Sequence, residues 1–341
     1  MKYITLGSTG MKVSRTAFGA LPLQRCTMDD AVRILRRAFD GGINFFDTAR
    51  AYSDSEDKLG EAFEGVRKEI YIATKSQATT PEGIRSDVET SLGKLRTDYV
   101  DIFQFHNFMP SDECMDAVLS LKAKGMINHI GLSLHAMETA YKAVGLGVFE
   151  TLQYPFSCLS SEEEVELVRT CEKTGIGFIA MKAMAGGLIR EVEANFAFIR
   201  DVGAVTPIWG IQRMEELEQF IELENHDIEL TDEHRKLIEM ERAALLQRFC
   251  RGCGYCLPCD AGIEINFSAR MDLLLGRAVY QNFITPQWQE KMSRIENCVE
   301  CGKCIERCPY NLDAPSMLKY QLKYYRDYID GKKWEQSKNY R

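Results

Sequence analysis

The chain has 341 residues, and its 42 Lys and Arg stand against 50 Asp and Glu, a formal net charge of −8. That balance argues against nucleic-acid binding, which depends on clustered cations, and 45% apolar with 27% charged residues excludes a disordered or fibrous chain. No apolar run of about 18 residues predicts a membrane span, and the opening MKYITLGSTG lacks the apolar stretch of a signal peptide, so a cytoplasmic location is expected.

In chain order, YITLGSTGMKVS reads as a β-hairpin turning at residues 7–10. Eight strand-like apolar runs follow, at 15–20, 43–49, 69–75, 100–106, 127–133, 150–156, 176–182 and 204–209. Each leads into an amphipathic helical stretch, at 28–40, 56–64, 81–95, 112–124, 136–144, 161–174, 191–201 and 214–224. Thr27, Thr80 before Pro81, and Ser160 before the EEE run mark helix starts. Glycines at 41–42, 125 and 175 mark ends. Continuous apolar strands alternating with helices predict a parallel sheet covered by helices. Eight units close a (β/α)8 barrel, and the hairpin could plug its N-terminal mouth. A doubly wound open sheet is the alternative, but its early G-x-G-x-x-G is missing.

The barrel is expected over residues 1–230 and a second, mainly helical region over 231–341. The second region opens with a helix at 231–246 capped by Thr231, continues through a helical stretch at 267–295, and ends in a helix from Pro315 to about Tyr328.

Of 12 cysteines, only Cys26, Cys114, Cys158 and Cys171 precede Cys250; the rest lie between Cys250 and Cys308. A secreted disulfide framework would not be so lopsided, whereas a metal-bearing region would. Cys298, Cys301, Cys304 and Cys308 have the C-x2-C-x2-C-x3-C-P spacing of the bacterial ferredoxin run for a [4Fe–4S] cluster, whose fourth Cys ligates the other cluster. Cys250, Cys253, Cys256 and Cys259 form a second run, with Asp260 where Pro is usual. Crossed ligation is therefore expected: Cys250, Cys253 and Cys256 with Cys308, and Cys298, Cys301 and Cys304 with Cys259. Zinc is the alternative, although its sites use paired C-x2-C ligands rather than four cysteines in sequence.

Asp47, Lys75 and His106 end consecutive predicted strands, and Tyr52 lies five residues beyond Asp47. In a barrel, those ends form the face on which active sites are built. A phenol has a pKa near 10, and a neighbouring ammonium lowers it. Tyr52 backed by Lys75 and Asp47 is thus a candidate general acid for a developing alkoxide, with His106 orienting a carbonyl oxygen. Singly, such residues are more often structural; together on successive strand ends they form a constellation.

FFDTARAYSDSEDKLGEAF, IYIATKS and DIFQFHN resemble the signature segments of the aldo-keto reductases, and LGSTGMKVSRTAFGA resembles their hairpin and first strand. With the cysteine runs, the whole chain resembles the subgroup carrying a C-terminal two-cluster ferredoxin-like domain. The resemblance implies a (β/α)8 barrel, NADP(H) or NAD(H) across the C-terminal face, Asp47, Tyr52, Lys75 and His106 as a catalytic tetrad, and Tyr52 as proton donor. It also implies cofactor contacts at Gly19, Ala20, Ser133, Gln153, Met181, Gly186, Gly187, Gly210 and Gln212. The family's pattern is altered in three places: Leu134 follows Ser133 where an Asn is usual, Met181 stands for an aromatic ring, and Gln219–Phe220 replaces the adenine-reading Glu-Asn pair. Arg213 could meet a 2′-phosphate or be an exposed arginine at a helix start.

Two readings follow. One is an NAD(P)H-dependent reductase of a small-molecule carbonyl, with the clusters relaying electrons to a ferredoxin or another carrier. Joining one-electron clusters to a two-electron hydride normally needs a gate such as a flavin, for which no fingerprint is readable, and the flavin is left open. The other is an electron-transfer or redox-sensing protein on a retained barrel.

Overall fold

Gly7 and Gly10, both at positive φ, turn the chain back so that β1 (Tyr3–Thr5) pairs antiparallel with β2 (Lys12–Ser14). The computed structural model describes residues 1–245, 250–252, 254–277, 280–308 and 310–332. After the hairpin come β3 (Ala17–Gly19), α1 (Met28–Asp40), β4 (Phe45–Asp47), α2 (Ser55–Ala62), β5 (Tyr71–Ser76), α3 (Pro81–Leu95), β6 (Val100–His106) and α4 (Asp112–Ala123). The pattern continues through β7 (Ile127–Ser133), α5 (Met137–Leu146), β8 (Thr151–Pro155), α6 (Glu162–Thr174), β9 (Gly177–Met181), α7 (Val192–Val202), β10 (Val205–Gly210) and α8 (Met214–Asn225). Strands β3 to β10 are parallel and close into a barrel, β10 pairing β3, so the expected (β/α)8 architecture and its hairpin are present.

The helix signals act through hydrogen bonds. The Thr27 and Thr80 side chains accept from the backbone N–H of Asp30 and Gly83, and Gly175 ends α6 in the left-handed region. The cap of α6 is Ser161, not Ser160: Ser161 and Glu164 form a reciprocal capping box, while the Ser160 hydroxyl is turned back to the N–H of Ser157.

Side chains alternate across each strand. Phe18, Phe46, Phe103, Phe178 and Trp209 pack outward against the helices. Their neighbours Ala17, Phe45, Ile102, Ile179 and Ile208 pack together inside the barrel with Leu6, Met11 and Val13 of the hairpin. The hairpin therefore plugs the N-terminal mouth. At Gly7 a Cβ would lie 2.3 Å from the Gly177 nitrogen, and the Ser8 N–H donates to the Gly175 carbonyl at 2.7 Å. One inward step further along the strands, the interior turns polar with Asp47, Lys75, Gln104, Ser133 and Gln153, all buried.

The chain divides into units Met1–Ile238 and Glu239–Arg341, the division falling within α9 (Asp232–Leu245). Thr231 caps α9, accepting from the His234 N–H at 3.2 Å. The second unit contains α10 (Ile265–Ser268), α11 (Met271–Arg277), α12 (Pro286–Ser293), α13 (Lys303–Glu306) and α14 (Ala314–Ile329). Its own core gathers Ile263, Met271, Met292, Ile295, Leu318 and Tyr325. Lys303 pairs with Asp260 at 2.6 Å, and the Arg307 guanidinium donates to the Pro258 carbonyl at 3.1 Å, fastening one cysteine run to the other.

Candidate active site and cysteine centres

Asp47, Lys75 and His106 stand at or next to the carboxyl ends of β4, β5 and β6, so the barrel gathers them on one face. Lys75, fully buried, donates to Asp47 Oδ1 at 2.5 Å and to the Thr48 carbonyl at 2.7 Å. Its ammonium also lies 5.2 Å from the centroid of the Tyr52 ring. The Tyr52 and His106 rings meet edge to face with centroids 6.2 Å apart. The four residues are therefore brought together.

The loop bearing Tyr52 is tied down from beneath. The Thr48 and Arg50 N–H groups donate to the Ala73 and Lys75 carbonyls, and the Ser55 N–H to the Tyr52 carbonyl. Buried Glu56 accepts from Thr74 Oγ1 at 2.7 Å and pairs with Arg50. Buried Lys58 donates to the Leu23 and Cys26 carbonyls, each at 2.9 Å. Each buried charge thus has partners, as the low-dielectric interior requires.

Burial pushes the Asp47 carboxyl up and the Lys75 ammonium down, and the attraction within the pair opposes both shifts. Burial, with the Asp47 charge adding to it, raises the Tyr52 phenol above its ordinary value. The depression expected from Lys75 alone is therefore reversed, and the phenol is held in its proton-bearing form. Burial, and then Lys75, push His106 down to about 3, so its imidazole is neutral. His106 Nδ1 is buried without a hydrogen-bond partner among the described residues.

The expected cofactor contacts fall into four groups. Gly19 and Ala20 flank Asp47: Gly19 is in register with it, and the Ala20 N–H donates to its carbonyl at 2.9 Å. Ser133 and Met181 end β7 and β9, Gln153 stands at the middle of β8, and all three are buried. Gly186 and Gly187 both have positive φ, a tight turn open to a closely approaching ligand. Gly210 ends β10, and Gln212 accepts from Arg25 at 3.1 Å. Two of the departures, and Arg213, have structural explanations. Leu134 is buried in the helix–strand layer, Phe220 stacks on Trp209 at 4.4 Å, and Arg213 pairs with Glu216 at 2.7 Å. Gln104, inside the DIFQFHN segment but not among the expected site residues, donates to both Asp47 and Gln153. Its signal was its spacing two residues before His106, which puts both on one strand face.

In the second unit the cysteines line two voids. One, of about 480 Å³ with its open mouth, has Cys259, Cys298, Cys301 and Cys304 in its wall, together with Cys256. The other, of about 390 Å³, has Cys250, Cys256 and Cys308, together with Cys304. Cys253 lies outside the described residues. Among the described residues no three His, Cys, Asp or Glu side chains close on one point as a single ion requires. Thiols spaced around apolar walls, with Ile265 in both voids, fit a group of several atoms held by sulfur.

A barrel with a buried Lys–Asp pair, a tyrosine and a histidine on its carboxyl face defines the class of barrel enzymes. Residues 11–198 match the model of the aldo/keto reductase family, and the chain belongs to that family. Residues 249–313 match the model of a 4Fe-4S dicluster domain. A probable aldo-keto reductase of Glycine max is 29% identical over 206 residues, covering 54% of this chain and 60% of its own length. An uncharacterized oxidoreductase of Bacillus subtilis is 31% identical over 223 residues, covering 55% and 68%. The chain spans 60% and 64% of the first curated relatives it matches. Among solved structures, the holo form of an aldo-keto reductase from Bacillus halodurans superposes with a TM-score of 0.65 at 22% identity, covering 71% of this chain and 96% of its own. An aldo/keto reductase from Klebsiella pneumoniae, in complex with NADP and acetate, gives 0.61 at 21%, with the same coverage. At those identities both bear on fold alone. No helix among the described residues is long and apolar enough to cross a membrane.

Proposed function

We propose that the barrel reduces a small-molecule carbonyl with a nicotinamide dinucleotide, Tyr52 supplying the proton. The observation that carries this reading is the convergence of one ammonium, Lys75, on both Asp47 at 2.5 Å and the Tyr52 ring at 5.2 Å. Membership of the aldo/keto reductase family supports the cofactor class. Ser133, Gln153 and Met181 would hold the nicotinamide, Gly186 and Gly187 the pyrophosphate, and Gly19, Ala20, Gly210 and Gln212 the remainder.

When bound, the reduced nicotinamide supplies the hydride. Tyr52, kept protonated by burial, delivers its proton to the carbonyl oxygen as negative charge develops there. Lys75 stabilises the phenolate left behind, and Asp47 with the Thr48 carbonyl keeps the ammonium aimed. Neutral His106 orients the carbonyl by hydrogen bonding rather than by charge. Solvent then restores the proton to Tyr52.

Cys250, Cys253, Cys256 and Cys308 would hold one [4Fe–4S] cluster and Cys259, Cys298, Cys301 and Cys304 the other. The grouping of cysteines around the two voids supports this division. When bound, such clusters supply single electrons. Cys301 is exposed and Val299 is 79% exposed, which suits approach by a ferredoxin or another electron carrier. A second reading, electron transfer or redox sensing on a retained barrel, is favoured by the commitment of Leu134 and Phe220 to packing.

The test is carbonyl-dependent NADPH oxidation by the cluster-replete protein under anaerobic conditions. Turnover that falls by at least about 100-fold in Tyr52→Phe, with NADPH still bound, supports the reductase. Cluster reduction by an electron carrier with no carbonyl turnover supports the second reading.

A further inference from the structure

Gln104 lies on β6 between Ile102 and His106, on the face they share, and is fully buried. Its Nε2 donates to Gln153 Oε1 at 2.9 Å and to Asp47 Oδ2 at 3.3 Å. Gln104 therefore joins side chains of three strands, β4, β6 and β8.

Strand β7 runs between β6 and β8, so Gln104 must cross it to reach Gln153. It crosses at Gly131, the residue in register with it. A Cβ there would lie 3.1 Å from Gln104 Cγ and 2.2 Å from Thr151 Oγ1. The missing side chain at Gly131 gives the Gln104 side chain its room.

An amide has two N–H donors, and Gln104 uses them on two acceptors. Turning the amide over would set its oxygen against the Asp47 carboxylate and the Gln153 oxygen, so the orientation is fixed. That in turn commits Gln153 Oε1 and leaves its NH2 as the group able to meet a ligand. It also occupies Asp47 Oδ2, so that Oδ1 serves Lys75. One amide thus sets both the donor that faces the cofactor and the carboxylate that aims the ammonium.

We propose that Gln104 is a positioning residue that couples cofactor binding at Gln153 to the Asp47–Lys75 pair behind Tyr52. The proposal rests on the reading of Gln153 as a nicotinamide contact.

The test uses the full chain with its clusters in place, comparing wild type with Gln104→Leu. NADPH and NADH are titrated by fluorescence, and so are the matching ADP-ribose fragments, which lack the nicotinamide. Losing a buried donor to two acceptors should weaken dinucleotide binding about tenfold and leave fragment binding unchanged. It should also lower kcat by roughly tenfold and displace the alkaline limb of its pH profile, because Asp47 no longer holds Lys75 in one orientation. Gly131→Ala, which crowds the crossing, should show the same pattern. Equal dinucleotide affinity in wild type and Gln104→Leu overturns the proposal alone, as does equal weakening of dinucleotide and fragment. A wild-type protein that binds no dinucleotide overturns the reading of the site, and the proposal with it.

Discussion

The Lys75 ammonium faces the ring of Tyr52, 5.2 Å from its centroid, while the same nitrogen donates to Asp47 at 2.5 Å. A cation over an aromatic face is attracted within about 6 Å, so Tyr52 is held from its ring as well as from its backbone. The cost of this arrangement is a buried ion pair whose halves depend on each other.

Lys75→Met leaves the Asp47 carboxylate buried without its cation, and the expected loss of stability is about 3–5 kcal/mol. Asp47→Asn combined with Lys75→Met should recover much of that loss. Urea unfolding of the two single variants and the double variant checks this. Strictly additive effects would show that the pair is not coupled.

His106 gives a pH signature. Its folded pKa of about 3 lies below the ordinary 6.5, so the unfolded chain takes up the proton first. Stability should therefore fall as pH drops below about 6.5 and go on falling to about 3, with up to about 2 kcal/mol lost by pH 5. His106→Gln should flatten this slope in urea titrations at pH 7 and pH 5. A wild-type slope that matches the variant's would count against a neutral His106.

Glu150 acts in a lower window. Burial would raise its carboxyl, but hydrogen bonds from His129, Lys122 and the Ile130 N–H bring it down to about 2 from 4.5. A depressed carboxylate stabilises the fold above its unfolded pKa, and that stability is lost as pH falls from about 4.5 to about 2. Glu150→Gln should cost about 1–2 kcal/mol at pH 7, reduced by partial exposure, and should lose less on acidification. Thermal unfolding between pH 7 and pH 3 measures both effects.

The cysteine grouping separates by substitution. Cys308 lines the void of Cys250 and Cys256, while Cys298 lines the other. Cys308→Ser and Cys298→Ser should each lower iron from roughly eight to roughly four per chain, and each should remove a different paramagnetic signal. Loss of the same signal in both variants would contradict the crossed arrangement.

Eight βα units were legible because Thr27, Thr80 and Gly175 do in space what their chemistry does locally. Asp47, Tyr52, Lys75 and His106 were legible because parallel strands in a barrel bring their carboxyl ends to one face. The link through Gln104 was not, since it needs the register of β6 with Gly131 and the passage over β7, neither of which leaves a local pattern. The direction of the Tyr52 shift was not legible either: a neighbouring ammonium can be read from a motif, but the extent of burial cannot. At α6 two adjacent serines competed for the cap, and the reciprocal bond with Glu164 decided for Ser161.

The hairpin stopper has a consequence of its own. With Leu6, Met11 and Val13 filling the N-terminal mouth, the barrel is a cup with one rim. The residues that close the base lie at the opposite end of the strands from the loops of the rim. Selectivity can therefore be rewritten at the rim, by exchange of whole loops, while the base that keeps the barrel folded stays as it is.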